Sequence, residues 1–179
     1  MKRVFDIFFS IIALFVFCIP AIIIAVVSRF FEHHPVFYFQ IRVGLHKKPY
    51  TMIKFQTMVD ELPTPFGALL RNTGLDEIPQ FINVLKGDMS IVGPRAIRVS
   101  DLQKMQWGDD EHAIRWSVRP GITGYAQFYS SHLSEESFQL DKKYIEHHNI
   151  AIDFSLICKT FLINILGKRR LLGKQYEVR

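Results

Sequence analysis

Cysteine is scarce in this sequence, and its placement argues against a disulfide framework. Cys18 and Cys158 are the two cysteines among 179 residues, each lies in an apolar stretch, and no C-x-x-C pair occurs. Small secreted domains that depend on disulfides carry several spaced cysteines. The chain must therefore be stabilised by buried apolar side chains, and its length suffices for one domain with a core.

The common loops that hold nucleotides and catalytic metals are also missing. Neither G-x-x-x-x-G-K-[ST] nor G-x-G-x-x-G occurs, and H-E-x-x-H, Asp-x-Asp and G-x-S-x-G are absent. The adjacent histidine pairs at 33–34 and 147–148 are poor shared metal ligands, since neighbouring side chains on a helix point apart. These absences exclude the ordinary P-loop, dinucleotide-binding, zinc-protease and serine-hydrolase classes.

Charge is only mildly unbalanced. Lys and Arg number 22 against 17 Asp and Glu, which gives a net charge of +5 at pH 7. Apolar residues make up 49% of the chain, including 16 Phe, so a wholly disordered chain is excluded. The basic excess suits a phosphate-rich partner or an anionic membrane surface. A nucleic-acid-binding module is disfavoured, because no basic stripe with interleaved aromatics occurs.

A long apolar run opens the chain. Ile7–Val27 contains 21 residues without a charge, and as a helix it would be about 32 Å long, close to the thickness of a bilayer core. Pro20 interrupts the run and removes the amide that would bond the carbonyl of Val16. Cations flank both ends, so the positive-inside rule favours both ends on the cytoplasmic side. A kinked spanning helix and a re-entrant helix broken at Pro20 are equally compatible with these facts.

The rest of the chain predicts a mixed α/β fold, rich in helix, with one small antiparallel hairpin. Val36–Val43 alternates, with Phe37, Phe39, Ile41 and Val43 on one side, which indicates a half-buried strand. Gly44–Pro49 predicts a turn and Tyr50–Phe55 a returning strand. Helices are expected around Ala68–Arg71, over Glu77–Lys86 with Asp76 as N-cap, over Leu102–Trp107 and Asp110–Trp116, and over Ser134–His148 with Ser134 as cap. Arg119–Gly124 indicates a Pro/Gly turn region.

The last apolar segment allows two interpretations. Ile152–Leu166 is largely apolar and is followed by Lys168, Arg169 and Arg170. It could be an interfacial helix whose basic end meets lipid head groups. The alternative is a core helix with a solvated basic tail. This feature alone slightly favours the core helix.

The most informative polar feature is an acidic pair, Asp76-Glu77, at the predicted start of a helix. Acids are common there for structural reasons, because the helix dipole and free amides favour them. The same placement would make an ionised Asp available as a nucleophile and a neighbouring carboxylate available to Mg²⁺, which needs only one or two protein carboxylates. The cations that could bind phosphate near this pair are Lys54, Arg71, Arg95, Arg98 and Arg119.

Four motifs occur in the order found in one known family: Lys54–Met58 (KFQTM), Leu75–Gln80 (LDEIPQ), Lys86–Arg95 (KGDMSIVGPR) and Arg119–Gly124 (RPGITG). Together they resemble the bacterial sugar transferases, the small monotopic phosphoglycosyl transferases. The resemblance runs over nearly the whole chain. Departures from residues frequent in the family occur at Ile19, Gln56, Ala96 and Tyr125, outside the acidic pair.

The resemblance implies a specific reaction. Such enzymes move a phospho-sugar from a UDP-sugar to polyprenol (undecaprenyl) phosphate, release UMP and thereby initiate bacterial glycan assembly. It implies that Asp76 is the nucleophile of a covalent phosphosugar intermediate and that Glu77 binds Mg²⁺. Lys54, Arg71 and Arg95 match basic positions of the family and are expected to contact phosphate, with Arg119 as a further candidate.

The resemblance also implies an organisation and a location. Residues 1–30 are expected to form a re-entrant membrane hairpin kinked at Pro20, and residues 31–179 a catalytic domain with interfacial amphipathic helices. The expected place is the cytoplasmic face of the bacterial inner membrane. The expected partners are UDP-sugar, polyprenol phosphate and membrane phospholipid, with downstream glycosyltransferases and a second copy of the chain as candidates, and no nucleic acid. The alternative is a catalytically silent, membrane-anchored scaffold of the same fold.

Overall fold

Residues 1–32, 34–129 and 133–166 are described by the computed structural model of this chain. They form the predicted mixture of helices and short strands, with helices dominant. The elements in chain order are α1 Lys2–Val16, α2 Cys18–Phe31, β1 Phe37–Val43, β2 Pro49–Phe55, β3 Met58–Val59, β4 Leu62–Pro63, α3 Pro65–Thr73, α4 Gln80–Lys86, β5 Ser90–Val92, β6 Ile97–Arg98, α5 Val99–Met105, β7 Gly121–Thr123, α6 Tyr125–Tyr129, α7 Glu135–His147 and α8 Ile150–Leu166. Short 3-10 helices cover Leu45–Lys47, Leu75–Glu77 and Ala113–Ser117. The basic segment 168–170 lies outside the described residues.

The N-terminal apolar run forms two helices that meet at an angle of 59°. The break lies at Phe17, so the predicted position at Pro20 is wrong by three residues. Pro20 instead occupies the first turn of α2. Backbone amides there have no partner within the helix, so the missing amide hydrogen of proline costs no helical bond. A helix continuing from α1 would lose the bond from residue 20 to the carbonyl of Val16, and the break at Phe17 places the proline where no such bond is needed.

The bent pair is long and apolar. Among the described residues, no single helix combines the length and apolarity needed to cross a bilayer, whereas α1 and α2 taken together reach that length and composition. Many of their large apolar side chains are exposed: Phe8, Ile11, Ile12, Phe15, Val16, Ile19, Ile22, Ile23, Val26, Phe30 and Phe31.

Polar side chains at the start of α1 fasten this helix to the rest of the protein. Both Nη atoms of Arg3 donate to carbonyls in the last turn of α4, at 2.6 and 2.9 Å. The buried carboxylate of Asp6 accepts the hydroxyl of Ser90 at 2.9 Å and the following amide of β5 at 3.1 Å. Lys2 pairs with Asp153 at the beginning of α8. One end of α1 is thus held by polar contacts, while much of its remaining surface is apolar.

The predicted hairpin is present. β1 and β2 pair antiparallel in the register Phe37 to Phe55 through Val43 to Pro49, and β6 adds a short third strand on the other side of β1. Asn83 of α4 ties the helix to β2, because its side chain accepts the amide of Ile53 at 3.0 Å and donates to the carbonyl of Thr51 at 2.7 Å. The middle of α4 is therefore fixed against the middle of β2.

The sidedness of β1 differs from what its alternation suggests. Phe37, Phe39 and Ile41 of the apolar side are exposed, at 42%, 60% and 59%, whereas Val43 at the end of this side is buried, at 3%. The opposite side carries Arg42, whose Nη1 donates to the carbonyl of Ala96 at 3.1 Å inside the domain. Period-two alternation defines two faces but does not say which face meets the body of the protein.

Two other predicted elements need correction. The region 119–124 is not only a turn, because Gly121–Thr123 forms β7, which pairs parallel with β5. The expected helices over Leu102–Trp107 and Asp110–Trp116 are shifted or replaced: α5 begins at Val99 and the second segment is a 3-10 helix. The predicted helix α7 is confirmed, with the Ser134 hydroxyl accepting the amide of Ser137 at 3.3 Å.

The main core lies between β2, α4, β5, α7 and α8. Its buried members are Tyr50, Met52, Val84, Met89, Ile91, Val92, Phe128, Tyr144, Leu156 and Ile163. A second cluster joins α2 to β2 and to the segment after α3 through Ile24, Phe55, Leu70 and Ile78. Each large side chain buried in this way stabilises the fold by about 1.5–3 kcal/mol, so the bent helix pair is an integral part of the fold.

Candidate active site

The acidic pair lies in a short connection between α3 and α4. Gly74 ends α3 in the left-handed conformation, at φ 71°, and a 3-10 turn over Leu75–Glu77 carries both acids. Asp76 is therefore not the N-cap of a helix over Glu77–Lys86, as the sequence predicts, because Pro79 takes that position and α4 begins at Gln80. The chain turns twice within six residues, and this places the Asp76 carboxylate in a buried position, with 7% of the residue exposed.

Glu77 is paired with the lysine of the first motif. The Nζ atom of Lys54 lies 2.6 Å from Oε1 of Glu77, and the two side chains are 23% and 35% exposed. A pair this exposed contributes at most about 1 kcal/mol to stability. The pair matters because of where it places the charges. It brings a cation of β2 to the acidic pair, whose two carboxylates are 22 and 23 residues away in sequence.

Arg71, Arg95 and Arg119 occupy three different places, and the fourth candidate, Arg98, pairs with Asp101 of α5 at 2.9 Å. Arg71 is in the last turn of α3, directly before the acidic turn, and its Nη1 contacts Sδ of Met58 at 3.2 Å. Arg95 follows β5, and its main chain contacts Asp141 and Arg115. Arg119 donates from Nε to the carbonyl of Gly87 at 2.7 Å, at the end of α4 that is remote from the acids. The structure thus joins Lys54 to the acidic pair, keeps Arg71 next to it in the chain, and engages Arg119 elsewhere.

One face of the sheet carries both Lys54 and Arg42. Cross-strand pairing puts Lys54 beside Tyr38, and it puts Arg42 four residues further along the same face. Arg42 holds the carbonyl of Ala96, the neighbour of Arg95. Four residues of strand span roughly 13 Å, and this distance separates Arg42 from Tyr38, the cross-strand partner of Lys54.

The donor set suits a magnesium ion held mainly by a substrate. Within the described ranges, no group of three or more His, Cys, Asp or Glu side chains could enclose a metal. Mg²⁺ does not require such an enclosure, because it retains water and is commonly bound through one or two carboxylates and substrate phosphates. The partly exposed carboxylate of Glu77, beside Asp76, fits this type of coordination.

An apolar cavity of about 560 Å³ opens next to Glu77. It lies between the second half of α1, the 3-10 turn and α8, and its lining includes Phe9, Ile12, Ala13, Phe17, Leu75, Phe81, Ile122, Ile157, Thr160 and Phe161. Gly74 permits the close approach of α8 here, because a Cβ at this position would lie 2.5 Å from Nδ2 of Asn164. The cavity therefore leads from the exposed apolar surface of the helices to Glu77.

Several residues of this arrangement escaped the sequence analysis. Asp6 and Ser10 are one helical turn apart and both buried, and this spacing in an otherwise apolar helix could have indicated a docked face. Asn83, which is buried and holds α4 against β2, has no comparable signal. The buried pair of Arg115 and Asp141 is separated by 26 residues, and no local pattern connects such residues.

The chain belongs to the bacterial sugar transferase family, whose model, described as "Bacterial sugar transferase", matches residues 1–167. A Bacillus subtilis (strain 168) protein named "Uncharacterized sugar transferase EpsL" is 38% identical over 177 residues, covering 89% of this chain and 85% of its own length. The motifs therefore identified the family correctly.

Two longer relatives carry names that state a reaction. The UDP-glucose:undecaprenyl-phosphate glucose-1-phosphate transferase of Klebsiella pneumoniae is 32% identical over 188 residues, covering 93% of this chain. The UDP-N-acetylgalactosamine-undecaprenyl-phosphate N-acetylgalactosaminephosphotransferase of Aeromonas hydrophila is 29% identical over 186 residues, again covering 93% of this chain. The chain spans 40% and 44% of the lengths of these two relatives.

Proposed function

We propose that this protein transfers a phospho-sugar from a UDP-sugar to polyprenol phosphate and releases UMP. The observation that carries the proposal is that Glu77, which pairs with Lys54 and follows the buried Asp76 in the chain, lines an apolar cavity. Such a site offers phosphate-binding charge on one side and space for a lipid on the other. The family membership and the printed activities of the Klebsiella and Aeromonas relatives support the same reaction.

Asp76 is the proposed nucleophile. A carboxylate oxygen of Asp76 attacks the sugar-linked phosphorus, the bond from this phosphorus to the bridging oxygen breaks, and UMP leaves with that oxygen and its electron pair. In the second step an oxygen of polyprenol phosphate attacks the same phosphorus, and the Asp76 carboxylate is regenerated. Both steps exchange one anionic oxygen for another, so alignment and charge neutralisation are the main requirements. Lys54, Arg71 and Arg95 are the cations proposed to provide them.

Glu77 is the residue that would hold Mg²⁺. When bound, the ion neutralises charge on the donor phosphates. Lys54 then has two roles in this chain, because it neutralises the second carboxylate before substrate binds and remains beside the phosphates afterwards. Glu77→Gln should therefore weaken the binding of Mg²⁺ that the first step uses, while Asp76→Asn should abolish that step.

The apolar cavity is the proposed site of the acceptor's isoprenoid chain. Its lining is almost entirely apolar, it ends at Glu77, and it continues into the exposed apolar surface of α1 and α8. An isoprenoid lying there would direct its phosphate towards Asp76 without burying that phosphate. A soluble donor and a lipid acceptor can use one site in turn only if the phospho-sugar stays bound to the enzyme between the two steps. The proposed lipid site and the proposed covalent intermediate at Asp76 therefore depend on each other.

The bent pair of α1 and α2 is proposed to enter and leave the cytoplasmic membrane on the same side, which places the site at the cytoplasmic head-group level. The 59° bend and the exposed apolar side chains support this arrangement. Cysteine labelling tests it, with one cysteine inserted after Met1 and another at Pro35→Cys, in a Cys18→Ser, Cys158→Ser background. Both cysteines should react from the cytoplasmic side, and labelling from opposite sides would favour a spanning arrangement.

The reaction is tested by incubating the purified full chain with Mg²⁺, undecaprenyl phosphate and each member of a panel of UDP-sugars. UMP release with at least one sugar is expected, and Asp76→Asn should abolish it while retaining the circular dichroism spectrum of the wild type. Release that survives in Asp76→Asn would remove the nucleophile assignment. The absence of release with every sugar would favour the silent scaffold instead.

A further inference from the structure

Arg115 and Asp141 form a buried ion pair behind the segment that carries Arg95. Nη2 of Arg115 lies 3.0 Å from Oδ2 of Asp141, and both side chains are 2% exposed. The Arg115 guanidinium also lies over two aromatic rings, 5.3 Å from the centroid of Trp107 and 5.0 Å from that of Trp116. These rings and the carboxylate together restrict the direction of its nitrogen fork.

The remaining hydrogen bonds of the pair go to the main chain of a single residue. Oδ1 of Asp141 accepts the amide of Arg95 at 3.3 Å, and Nη2 of Arg115 donates to the carbonyl of Arg95. The amide and the carbonyl of one residue are thus held by the two members of one ion pair. On the other side, Gly121 donates its amide to the carbonyl of Pro94 at 2.8 Å, so the main chain at Arg95 is held from both directions.

Stability alone is a poor explanation for this pair. Removing two charges from water costs several kcal/mol, and well-packed apolar side chains of similar volume are often at least as stabilising. Burial raises the pKa of Asp141 and lowers that of Arg115, and their mutual attraction opposes both shifts. The pair supplies something that apolar packing could not, namely a donor and an acceptor at fixed positions for the peptide groups of Arg95.

We infer that Arg115 and Asp141 are positioning residues that set the direction of the Arg95 side chain towards the donor diphosphate. The inference rests on the proposed function, in which Arg95 contacts donor phosphate. Neither positioning residue needs to touch the substrate. Each acts through the main chain of Arg95, because fixing both peptide groups leaves only the rotations of the Arg95 side chain to be ordered when the donor binds.

The test measures KM for the UDP-sugar and for undecaprenyl phosphate in Asp141→Asn, in Arg95→Ala and in the double variant. Asp141→Asn should raise the donor KM about tenfold, which corresponds to about 1.4 kcal/mol, and should leave the acceptor KM within twofold. In the Arg95→Ala background the same substitution should change the donor KM by less than twofold, because the side chain that it orients is already gone.

A second variant and a matched control guard against loss of folding. Arg115→Lys retains the charge but lacks the fork that reaches both Asp141 and the Arg95 carbonyl, so it should raise the donor KM in the same Arg95-dependent manner. Asp153→Asn removes a different buried carboxylate, which pairs with Lys2 and Tyr144. It should lower Tm. Any change that it causes in the donor KM should be the same with and without the Arg95 side chain.

The outcomes separate this inference from the proposed function. An active wild type whose donor KM is unchanged in folded Asp141→Asn and Arg115→Lys would overturn the positioning role. Equal effects of Asp141→Asn with and without Arg95 would do the same, since they indicate a purely structural contribution. A wild type that releases no UMP with any UDP-sugar would overturn the proposed function, and this inference with it.

Discussion

Lys2 and Asp153 are 151 residues apart, and Nζ of Lys2 lies 2.6 Å from Oδ2 of Asp153. The contact joins the first turn of α1 to the first turn of α8. Asp153 is 3% exposed at its side chain and also accepts the hydroxyl of Tyr144 at 2.7 Å. The two helices that flank the apolar cavity are therefore fixed to each other at one end.

Lys2→Met should destabilise the protein, because it leaves the buried Asp153 carboxylate with the Tyr144 hydroxyl but without its cation. We expect a loss of about 1–3 kcal/mol in the free energy of unfolding, measured by thermal unfolding in detergent. Adding Asp153→Asn should restore part of the loss, since the amide carries no charge. Lys104→Met, at an exposed position of α5, is the control and should change the free energy by less than about 0.5 kcal/mol. An equal loss in both lysine variants would contradict the importance of this pair.

Gly74→Ala should be strongly destabilising for two independent reasons. Its φ of 71° disfavours any side chain, by about 1–2 kcal/mol, and the new Cβ would meet Nδ2 of Asn164 at 2.5 Å. Combining Gly74→Ala with Asn164→Ala should recover the steric part only. Gly108→Ala is the matched control, because a Cβ there has no neighbour within 4 Å. A Gly74→Ala variant as stable as Gly108→Ala would show that α8 does not pack as described.

Ala13→Phe should fill part of the apolar cavity and compete with the isoprenoid chain. We expect the KM for undecaprenyl phosphate to rise roughly tenfold, equivalent to 1.4 kcal/mol, while the first step with UDP-sugar alone proceeds at the wild-type rate. Ile22→Phe, at an exposed position of α2 outside the cavity lining, should leave both values unchanged. If Ala13→Phe leaves the acceptor KM unaltered, the lipid chain lies elsewhere.

Asp101 should make stability dependent on acid pH. The hydrogen bonds and charge of Arg98 hold the pKa of Asp101 below its usual value, although burial, the largest single influence, acts in the opposite direction. Because the folded-state pKa is depressed, the stabilisation is present above the unfolded-state value of about 3.9 and is lost as pH falls through the folded-state value. Between pH 5 and pH 3, the Tm of Asp101→Asn should fall less than that of the wild type, and parallel decreases would contradict this account.

The sequence predicted much of the local structure and the family, for identifiable physical reasons. The hairpin of β1 and β2, the cap of α7 by Ser134 and the helix Ile150–Leu166 follow from alternation, capping chemistry and apolar periodicity. The acidic pair was also found, because its motif is local. Its conformation was predicted incorrectly, since the left-handed Gly74 and the capping position of Pro79 convert the expected helix start into a separate 3-10 turn.

Long-range contacts account for what could not be predicted. The inward direction of Arg42 depends on the carbonyl of Ala96, 54 residues later, and alternation within β1 carries no information about it. Helix chemistry explains why the chain breaks before Pro20 and not at it. The position of the break at Phe17 also depends on the packing of Phe17 against the cluster of Ile24, Phe55, Leu70 and Ile78. Lys54 and Glu77 could be assigned to one site only through the family resemblance, because their spacing alone does not bring them together.

The most direct test of the central claim is intact-mass spectrometry of the purified protein after incubation with Mg²⁺ and a UDP-sugar that supports turnover, in the absence of undecaprenyl phosphate. A mass increase equal to one sugar phosphate is predicted, located by peptide mapping at Asp76, absent from Asp76→Asn and removed when undecaprenyl phosphate is added. A wild-type protein that turns over the same donor but never acquires this mass would contradict the covalent mechanism.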